Sequence, residues 1–134
     1  MILAYSDLNL TEKYSMDLEV KTEGSIVLLK PITKNLDASV STDFKAKVMD
    51  LINQGNTCFL LDLSQVDFID SSGLGAIISI LKNLSLNNGN IVICEIKAPI
   101  LNLFKLTRMD QIFKIYPHQK EAVDFLMPEK TPHS

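Results

Sequence analysis

Serine and glycine residues cluster where a continuous apolar run ends and a periodic one begins. The cluster is Asp70-Ser71-Ser72-Gly73-Leu74-Gly75. The preceding residues 57–63 are nearly all apolar, which is typical of a strand covered on both faces. Residues 72–86 carry apolar side chains at steps of three and four, which predicts a helix whose apolar stripe is Leu74, Ile77, Ile78, Leu81 and Leu84. We therefore expect the serine hydroxyls to be displayed at a strand-to-helix turn.

Glycines at such a turn first suggest a loop that binds nucleotide phosphates, because the amide groups at a helix N-terminus attract anions. Gly73 and Gly75 match two glycines of the dinucleotide-binding fingerprint, but the third glycine position holds Ile78. The sequence also lacks the Gly-Lys-Ser/Thr ending of a phosphate-binding loop. We therefore predict no cofactor, and a small-ligand or nucleotide-binding domain stays a third functional reading that rests on the glycine turn alone.

Catalysis by one of the serines would need a neighbouring base, and the Gly-x-Ser-x-Gly elbow of hydrolases is absent. The two histidines, His118 and His133, are predicted at the start of the last helix and in the C-terminal tail. Asp62 and Asp67 lack the loop spacing of a hard-cation site, and we expect them to solvate a strand end or cap a helix. We predict no catalytic residue, no metal site and no enzymatic activity.

A serine at this turn could instead be the substrate of a kinase. A phosphoserine carries about -1.5 to -2 charges at neutral pH, and helix amides are expected to stabilise it in the free domain. A partner protein pressed against the same surface would have to desolvate the phosphate beside Asp70, at a cost of several kcal/mol. Phosphorylation would then switch binding without unfolding the domain.

The outward face of the predicted helix 72–86 is unusual in its small side chains. Placing residues 100° apart puts Ser72, Gly75 and Ser79 opposite the apolar stripe, with Ala76 and Ile80 at the flank of this outer face. Such a flat face would let another protein approach the helix backbone closely. A merely solvated face fits the same pattern.

Composition limits the choice of function and location. The chain has 134 residues, a net charge of -3 and 46% hydrophobic residues, which fits one globular domain. The basic residues are scattered, so we expect no nucleic-acid partner. Because the sequence shows neither a membrane span nor a basic secretory start, we expect a cytoplasmic protein. Cys58 and Cys94 lie in apolar runs and are expected to be buried reduced thiols, with a disulfide or metal site as the alternative.

The order of elements predicts the fold. Residues 16–21 and 25–30 form a hairpin around a turn at 22–24, closed by Pro31, and residues 39–54 form a helix with Ser39 or Ser41 as its cap and Asp43 in its first turn. Strands at 57–63, 91–96 and 112–116 then alternate with helices at 72–86, after Pro99 and after Pro117. The inward residues of the last two helices are Ile100, Leu103, Phe104, Ala122, Phe125 and Leu126.

This alternation predicts an α/β fold with a mostly parallel sheet of four or five strands, an antiparallel N-terminal hairpin strand and about four helices. We place one domain over residues 15–127. Residues 1–14 are expected to be a loosely ordered extension, and the polar, proline-broken residues 128–134 a flexible tail.

Residues 70–75, preceded by an apolar strand that ends in Leu-Asp-Leu, resemble the motif of anti-sigma factor antagonists, which are freestanding STAS domains. The likeness covers roughly residues 16–126, including Gly89 and the segment Ile-Leu-Asn-Leu-Phe-Lys-Leu-Thr at 100–107. The resemblance implies a STAS-like domain that acts by partner switching, as a monomer or dimer. The partner that the resemblance implies is an anti-sigma factor serine kinase with a histidine-kinase-like ATPase fold, and a serine phosphatase is expected to restore the binding form.

Carried onto this chain, the resemblance implies Ser71 as the phosphate acceptor and Ser72 as a secondary site or helix cap. Asp70 would shape the kinase-facing turn, and Gly73 and Gly75 would allow close approach of the partner. Ser72, Gly75, Ala76 and Ser79, together with Asp37 and Ser39, complete the expected partner-binding set. The family commonly carries a glycine just before its Leu-Asp pair, which residues 31–37 lack, so we expect this loop to differ in shape. The alternative is a scaffold subunit, stressosome-like or part of a transport complex, that needs no phosphorylation.

Overall fold

The computed structural model describes residues 16–127, so the predictions for the 1–14 extension and the 128–134 tail lie outside the described residues. The strands are β1 (Asp17–Glu23), β2 (Ile26–Ile32), β3 (Asn35–Leu36), β4 (Cys58–Asp62), β5 (Phe68–Ile69), β6 (Asn90–Cys94) and β7 (Lys114–Tyr116). The helices are α1 (Ser41–Asn53), α2 (Ser71–Leu86), α3 (Ala98–Leu106) and α4 (Gln119–Leu126), with a 3-10 turn at Met109–Gln111.

Five strands form the main sheet in the order β1-β2-β4-β6-β7. β1 pairs antiparallel with β2, and the other neighbours pair parallel. The predicted α/β fold, with its mostly parallel sheet and four helices, is therefore confirmed. β3 and β5 form a separate parallel pair that the sequence did not predict.

The sheet separates two layers of apolar side chains. The larger cluster lies under α1, α2 and α3 and includes Phe44, Val48, Ile77, Ile80, Ile100 and Phe104, which are all buried. The smaller cluster joins Ile26, Leu28, Leu60 and Val92 to Ala122 and Val123 of α4. Three helices thus cover one face of the sheet, and among the described helices α4 alone packs on the other.

The N-terminal hairpin is present, with longer strands than predicted. Gly24 in the turn adopts φ +62°, which a glycine tolerates far better than other residues. Pro31 does not close β2: the strand continues to Ile32, and Pro31 is paired with Leu18 of β1. The pairing of β2 with β4 ends at Leu29, so Pro31 lies where that edge of the strand is free, as proline requires in a sheet.

The prediction of a serine cap on α1 was wrong. Val40 occupies the N-cap position and makes no side-chain capping bond. The Ser39 hydroxyl donates to the Asp37 carboxylate at 2.6 Å, while the Asp37 carbonyl accepts the Ser41 amide at 2.8 Å. A local turn at Asp37 therefore satisfies the start of the helix. Asp43 does lie in the first turn, as expected.

Burial along two helices differs from the periodic pattern. In α2 the fully buried residues are Ile77, Ile80 and Leu84, whereas Leu81 is only partly buried, because the face toward the sheet is turned slightly from the predicted stripe. In α4 Phe125 is 43% exposed rather than inward. Its ring lies 5.4 Å from that of Tyr116, at the margin of the smaller cluster.

Both cysteines are free thiols, as expected. Cys94 is fully buried and Cys58 partly so. Burial, together with the negative charges of Asp62 and Glu95, raises the pKa of Cys94 to about 12, and burial raises the pKa of Cys58. Neither thiol carries the thiolate character that metal binding or exchange requires.

Candidate functional site

Asp70 forms the N-cap of α2. Its Oδ1 accepts hydrogen bonds from the amides of Ser72 at 2.8 Å and Gly73 at 3.0 Å. An aspartate cap of this kind satisfies two of the amides that a helix start leaves without partners. The prediction that Ser72 caps the helix was therefore wrong, and α2 begins one residue earlier than expected, at Ser71.

The same carboxylate also reaches the loop before α1. Asp70 Oδ2 accepts the Ala38 amide at 3.2 Å, and the Asp70 amide donates to the Leu36 carbonyl at 3.4 Å. One side chain thus joins the start of α2 to the segment that carries Asp37 and Ser39. These two residues, implied by the resemblance to be part of the partner surface, lie beside the 70–75 motif in the structure.

The pairing of β3 with β5 produces this neighbourhood. Asn35 pairs with Phe68 and Leu36 with Ile69, and the amides of Asp67 and Phe68 both donate to the Lys34 carbonyl, at 2.8 and 3.0 Å. Residues 31–37, which lack the family glycine, are held against the motif by backbone hydrogen bonds. No pattern of side chains in the sequence predicts these bonds. Strands of two residues are too short to show alternation, so the sequence could not predict them.

The two motif glycines have different surroundings. A Cβ atom on Gly73 would lie 2.2 Å from the Leu36 carbonyl oxygen and 2.9 Å from Ile69 Cγ2. Gly75 is exposed, and a Cβ there would meet no atom within 4 Å. Gly73 therefore permits the close approach of β3 inside the molecule, whereas Gly75 leaves the surface of α2 open.

The two motif serines also differ. Ser71, the first residue of α2, is exposed, and Ser72 is half-buried. Ser72 lines a groove of about 290 Å³ between the starts of α1 and α2, together with Ser41, Thr42, Lys45, Gly75, Ala76 and Ser79. Ala76 is only 6% exposed. The small-residue face predicted to be flat is thus a shallow groove, with Ser71 outside its lining.

The electrostatics of the turn differ from the expectation that helix amides would stabilise a phosphate. The amides of Ser72 and Gly73 already hold the Asp70 carboxylate. Hydrogen bonds from the hydroxyl and amide of Ser39 hold the pKa of Asp37 below its usual value. The surface around Ser71 therefore carries fixed negative charge before any modification.

Phe68 is a surface residue near the motif that the sequence reasoning missed. Its side chain is 53% exposed although it stands in β5, directly before buried Ile69. The neighbouring Asp67 forms an ion pair with Lys97 at the start of α3. The hydrogen bond from Lys97 and the positive charges of Lys97 and Lys34 lower the pKa of Asp67. No alternation in the sequence predicts an outward Phe68, because β5 has only two residues and Val66, two residues before Phe68, is fully buried.

Two kinds of feature are absent from the described part of the chain. Within residues 16–127 no helix is long and apolar enough to span a membrane. Over the same residues, no group of three or more histidine, cysteine, aspartate or glutamate side chains is arranged to hold a metal ion.

Comparison with known proteins agrees with the sequence motif. Residues 17–122 match the STAS domain family. A Thermotoga maritima protein provisionally named an anti-sigma factor antagonist is 34% identical over 105 residues, which cover 78% of this chain and 92% of the relative.

Solved structures share the fold of this chain. The crystal structure of an anti-sigma factor antagonist from Thermotoga maritima, also provisionally named, superposes with a TM-score of 0.77 at 33% identity and covers 80% of this chain and 92% of that one. The anti-sigma factor antagonist SpoIIAA, solved in its unphosphorylated and phosphorylated forms, superposes with a TM-score of 0.65 at 20% identity, covering 83% of this chain. The matched residues make up 96% of the unphosphorylated and 98% of the phosphorylated SpoIIAA chain, and at this identity the likeness shows a common fold.

Proposed function

The chain belongs to the STAS domain family, and from this premise we propose that it is an anti-sigma factor antagonist that works by partner switching. The unphosphorylated protein binds an anti-sigma factor that is also a serine kinase with a histidine-kinase-like ATPase fold, and the sigma factor is released. Phosphorylation of Ser71 ends the interaction, and a serine phosphatase restores it. The protein acts in the cytoplasm as a monomer or dimer and performs no catalysis itself.

The observation that carries this proposal is the setting of Ser71. It is exposed at the first position of α2, on a turn fixed by the Asp70 cap and by the β3–β5 pair. A kinase can reach its hydroxyl without opening the fold. Ser72, half-buried in the groove beside Lys45, is the less accessible acceptor, which supports Ser71 as the main site and Ser72 as the secondary one.

The proposed partner surface combines the loop before α1 with the first turns of α2. Asp37 and Ser39 flank Ala38, whose backbone amide donates a hydrogen bond to the Asp70 carboxylate. Exposed Gly75 and partly buried Ser79 follow Ser71 along α2, with Ala76 at the base of the groove. Gly73 contributes indirectly, because it lets β3 hold the 37–39 segment beside the motif. We add Phe68 to this surface as an exposed apolar contact.

The effect of a phosphate on Ser71 follows from the charges already present. Because Asp70 already accepts the amides of Ser72 and Gly73, the added charge of about -1.5 to -2 would lack those two donors and would stand next to the Asp70 carboxylate. Burying an unpaired charge in an interface costs about 3–5 kcal/mol. The kinase complex should therefore weaken by at least about a hundredfold, since each 1.4 kcal/mol is about tenfold.

The direct test is mass spectrometry of the protein after incubation with its cognate anti-sigma kinase and ATP. We expect one phosphate on Ser71, retained in Ser72→Ala and lost in Ser71→Ala. Phosphate on neither serine would refute the switch.

Binding of unmodified variants to the same kinase tests the consequence. Ser71→Asp should bind at least about a hundredfold more weakly than the parent chain, by the same charge argument. The matched control is Ser85→Asp, which places the same charge on an exposed position at the far end of α2. Equal affinity of the two variants would contradict the proposed role of the phosphate. Light scattering on the same samples should give a monomer or dimer, whereas a large particle would favour the scaffold alternative.

A further inference from the structure

A second concave site lies at the carboxyl ends of β6 and β7. The cleft has a volume of about 740 Å³ and is lined by Ser64, Glu95, Ile96, Lys97, Leu101, Asp110, Phe113, Ile115, Pro117 and His118. None of these residues belongs to the candidate site around Ser71. Ligands of open α/β sheets commonly bind outside the carboxyl ends of the strands, in pockets of about 300–1,000 Å³.

The interior of the cleft is apolar. Ile96, Leu101 and Ile115 are half-buried and Phe113 is buried. The cleft wall therefore offers a ligand both aliphatic and aromatic contacts. Leu101 follows buried Ile100 in α3 and lines the cleft. These side chains would accept a small hydrocarbon body, because removing its apolar surface from water is favourable.

The charged side chains of the lining leave an excess of negative charge. Lys97 is paired with Asp67, which lies outside the lining. Glu95 Oε2 accepts the Gln119 amide at 2.8 Å at the start of α4, which fixes the position of its carboxylate in the cleft wall. Asp110 is half-buried in the 3-10 turn and forms no ion pair with any residue of the 16–127 range.

The histidine does not reverse this balance. His118 Nδ1 lies 3.7 Å from Glu95 Oε2, and its side chain is mostly exposed. When neutral it adds no charge, and when protonated it pairs with Glu95 and leaves Asp110 as before. At neutral pH the cleft therefore combines an apolar interior with two carboxylates, of which one is rigidly held and the other has no cation.

We propose that this cleft binds a small organic cation, in which a primary ammonium group is attached to an apolar aryl or alkyl body. The ammonium lies at Asp110 and Glu95, and the hydrocarbon body lies among Ile96, Leu101 and Ile115. An anion of the same shape is rejected by the two carboxylates. The proposal does not depend on phosphorylation of Ser71 or on an anti-sigma partner.

The test uses two probes that share a phenyl ring and a short chain but carry opposite charges, 2-phenylethylamine and 3-phenylpropionate. Each is titrated into the methyl-labelled full-length protein, and the methyl resonances of Ile96, Leu101 and Ile115 are followed by NMR. We expect saturable shifts with the amine at millimolar or lower concentration and none with the carboxylate. Absence of saturation with the amine, or equal shifts with both probes, overturns the proposal.

Variants of the protein distinguish recognition of the ammonium charge from non-specific hydrophobic binding. Asp110→Asn should weaken binding of the amine by at least about tenfold, because it removes the hydrogen bond between the ammonium group and an ionised carboxylate. The matched control is Asp50→Asn, an exposed aspartate on α1 that lines no part of the cleft, which should leave the affinity unchanged.

A third variant guards against a loss caused by misfolding. Leu101→Lys puts an ammonium group into the cleft from a helix position that lysine tolerates, and it should abolish amine binding with an unchanged circular dichroism spectrum. Retained amine affinity in both Asp110→Asn and folded Leu101→Lys would refute the site.

Discussion

Replacing Gly73 by alanine tests the packing at the centre of the candidate site. The new Cβ would lie 2.2 Å from the Leu36 carbonyl oxygen, so β3 or the start of α2 must move by about 1 Å to reach an ordinary contact. Overpacking of this kind costs about 1–3 kcal/mol. The shift also strains the 3.4 Å hydrogen bond from the Asp70 amide to Leu36, worth about 1 kcal/mol.

Alanine has a better helix propensity than glycine by up to about 1 kcal/mol, which offsets part of this cost. We expect Gly73→Ala to lower the free energy of unfolding by about 2 kcal/mol. Gly75→Ala is the matched control, two residues away in the same helix, with no atom within 4 Å of its added Cβ. It should raise the free energy of unfolding by about 0.5–1 kcal/mol.

Urea unfolding followed by circular dichroism measures both values. If Gly73→Ala is as stable as Gly75→Ala, Leu36 and the start of α2 are not in tight contact, and Gly73 is not required for their close approach. The pair also serves the functional proposal, because Gly75→Ala stays folded while adding a methyl group to the proposed partner surface. Weaker kinase binding by this variant would therefore report on the surface itself.

Three further outcomes follow from the described contacts. Asp70→Ala removes the α2 cap and the link to the 38 amide, and should lower the free energy of unfolding by about 1–2 kcal/mol in the same urea assay. The pKa of Asp67, read by NMR, should lie below the usual aspartate value and return toward it in Lys97→Met. The stabilisation linked to that pair is then complete above the ordinary aspartate pKa and is lost as pH falls through the lowered one. Cys94, with a pKa raised to about 12, and Cys58 should react with a thiol reagent at pH 8 more slowly in the native protein than in urea, and faster native reaction would contradict their burial.

The main sheet could be predicted because each of its core strands has enough apolar residues to be recognised from its own sequence. The run at 57–63 and the periodic stripe after it place β4 and α2 without knowledge of any contact. The motif serines were located for the same reason, since a strand end and a helix start bracket them closely.

What the sequence could not predict depends on contacts made through space. The β3–β5 pair has two residues on each side and is held by backbone groups, which leave no trace in side-chain periodicity. The cap of α2 was misassigned because aspartate and serine have similar capping preferences and stand next to each other at 70–72. Only the hydrogen-bond geometry shows that Asp70 already accepts the amides of Ser72 and Gly73. These two amides are therefore not free to stabilise a phosphate on Ser71.

The Asp70 cap has a consequence for how the proposed switch could be reset. Because α2 is already capped without a phosphate, neither form of Ser71 needs a rearranged helix start. We therefore expect the phosphorylated and unphosphorylated proteins to have the same backbone conformation and to differ only in the charge at Ser71. Erasing that state would require only hydrolysis of an exposed ester. The fraction in each form would then follow the relative rates of kinase and phosphatase, with no delay from refolding.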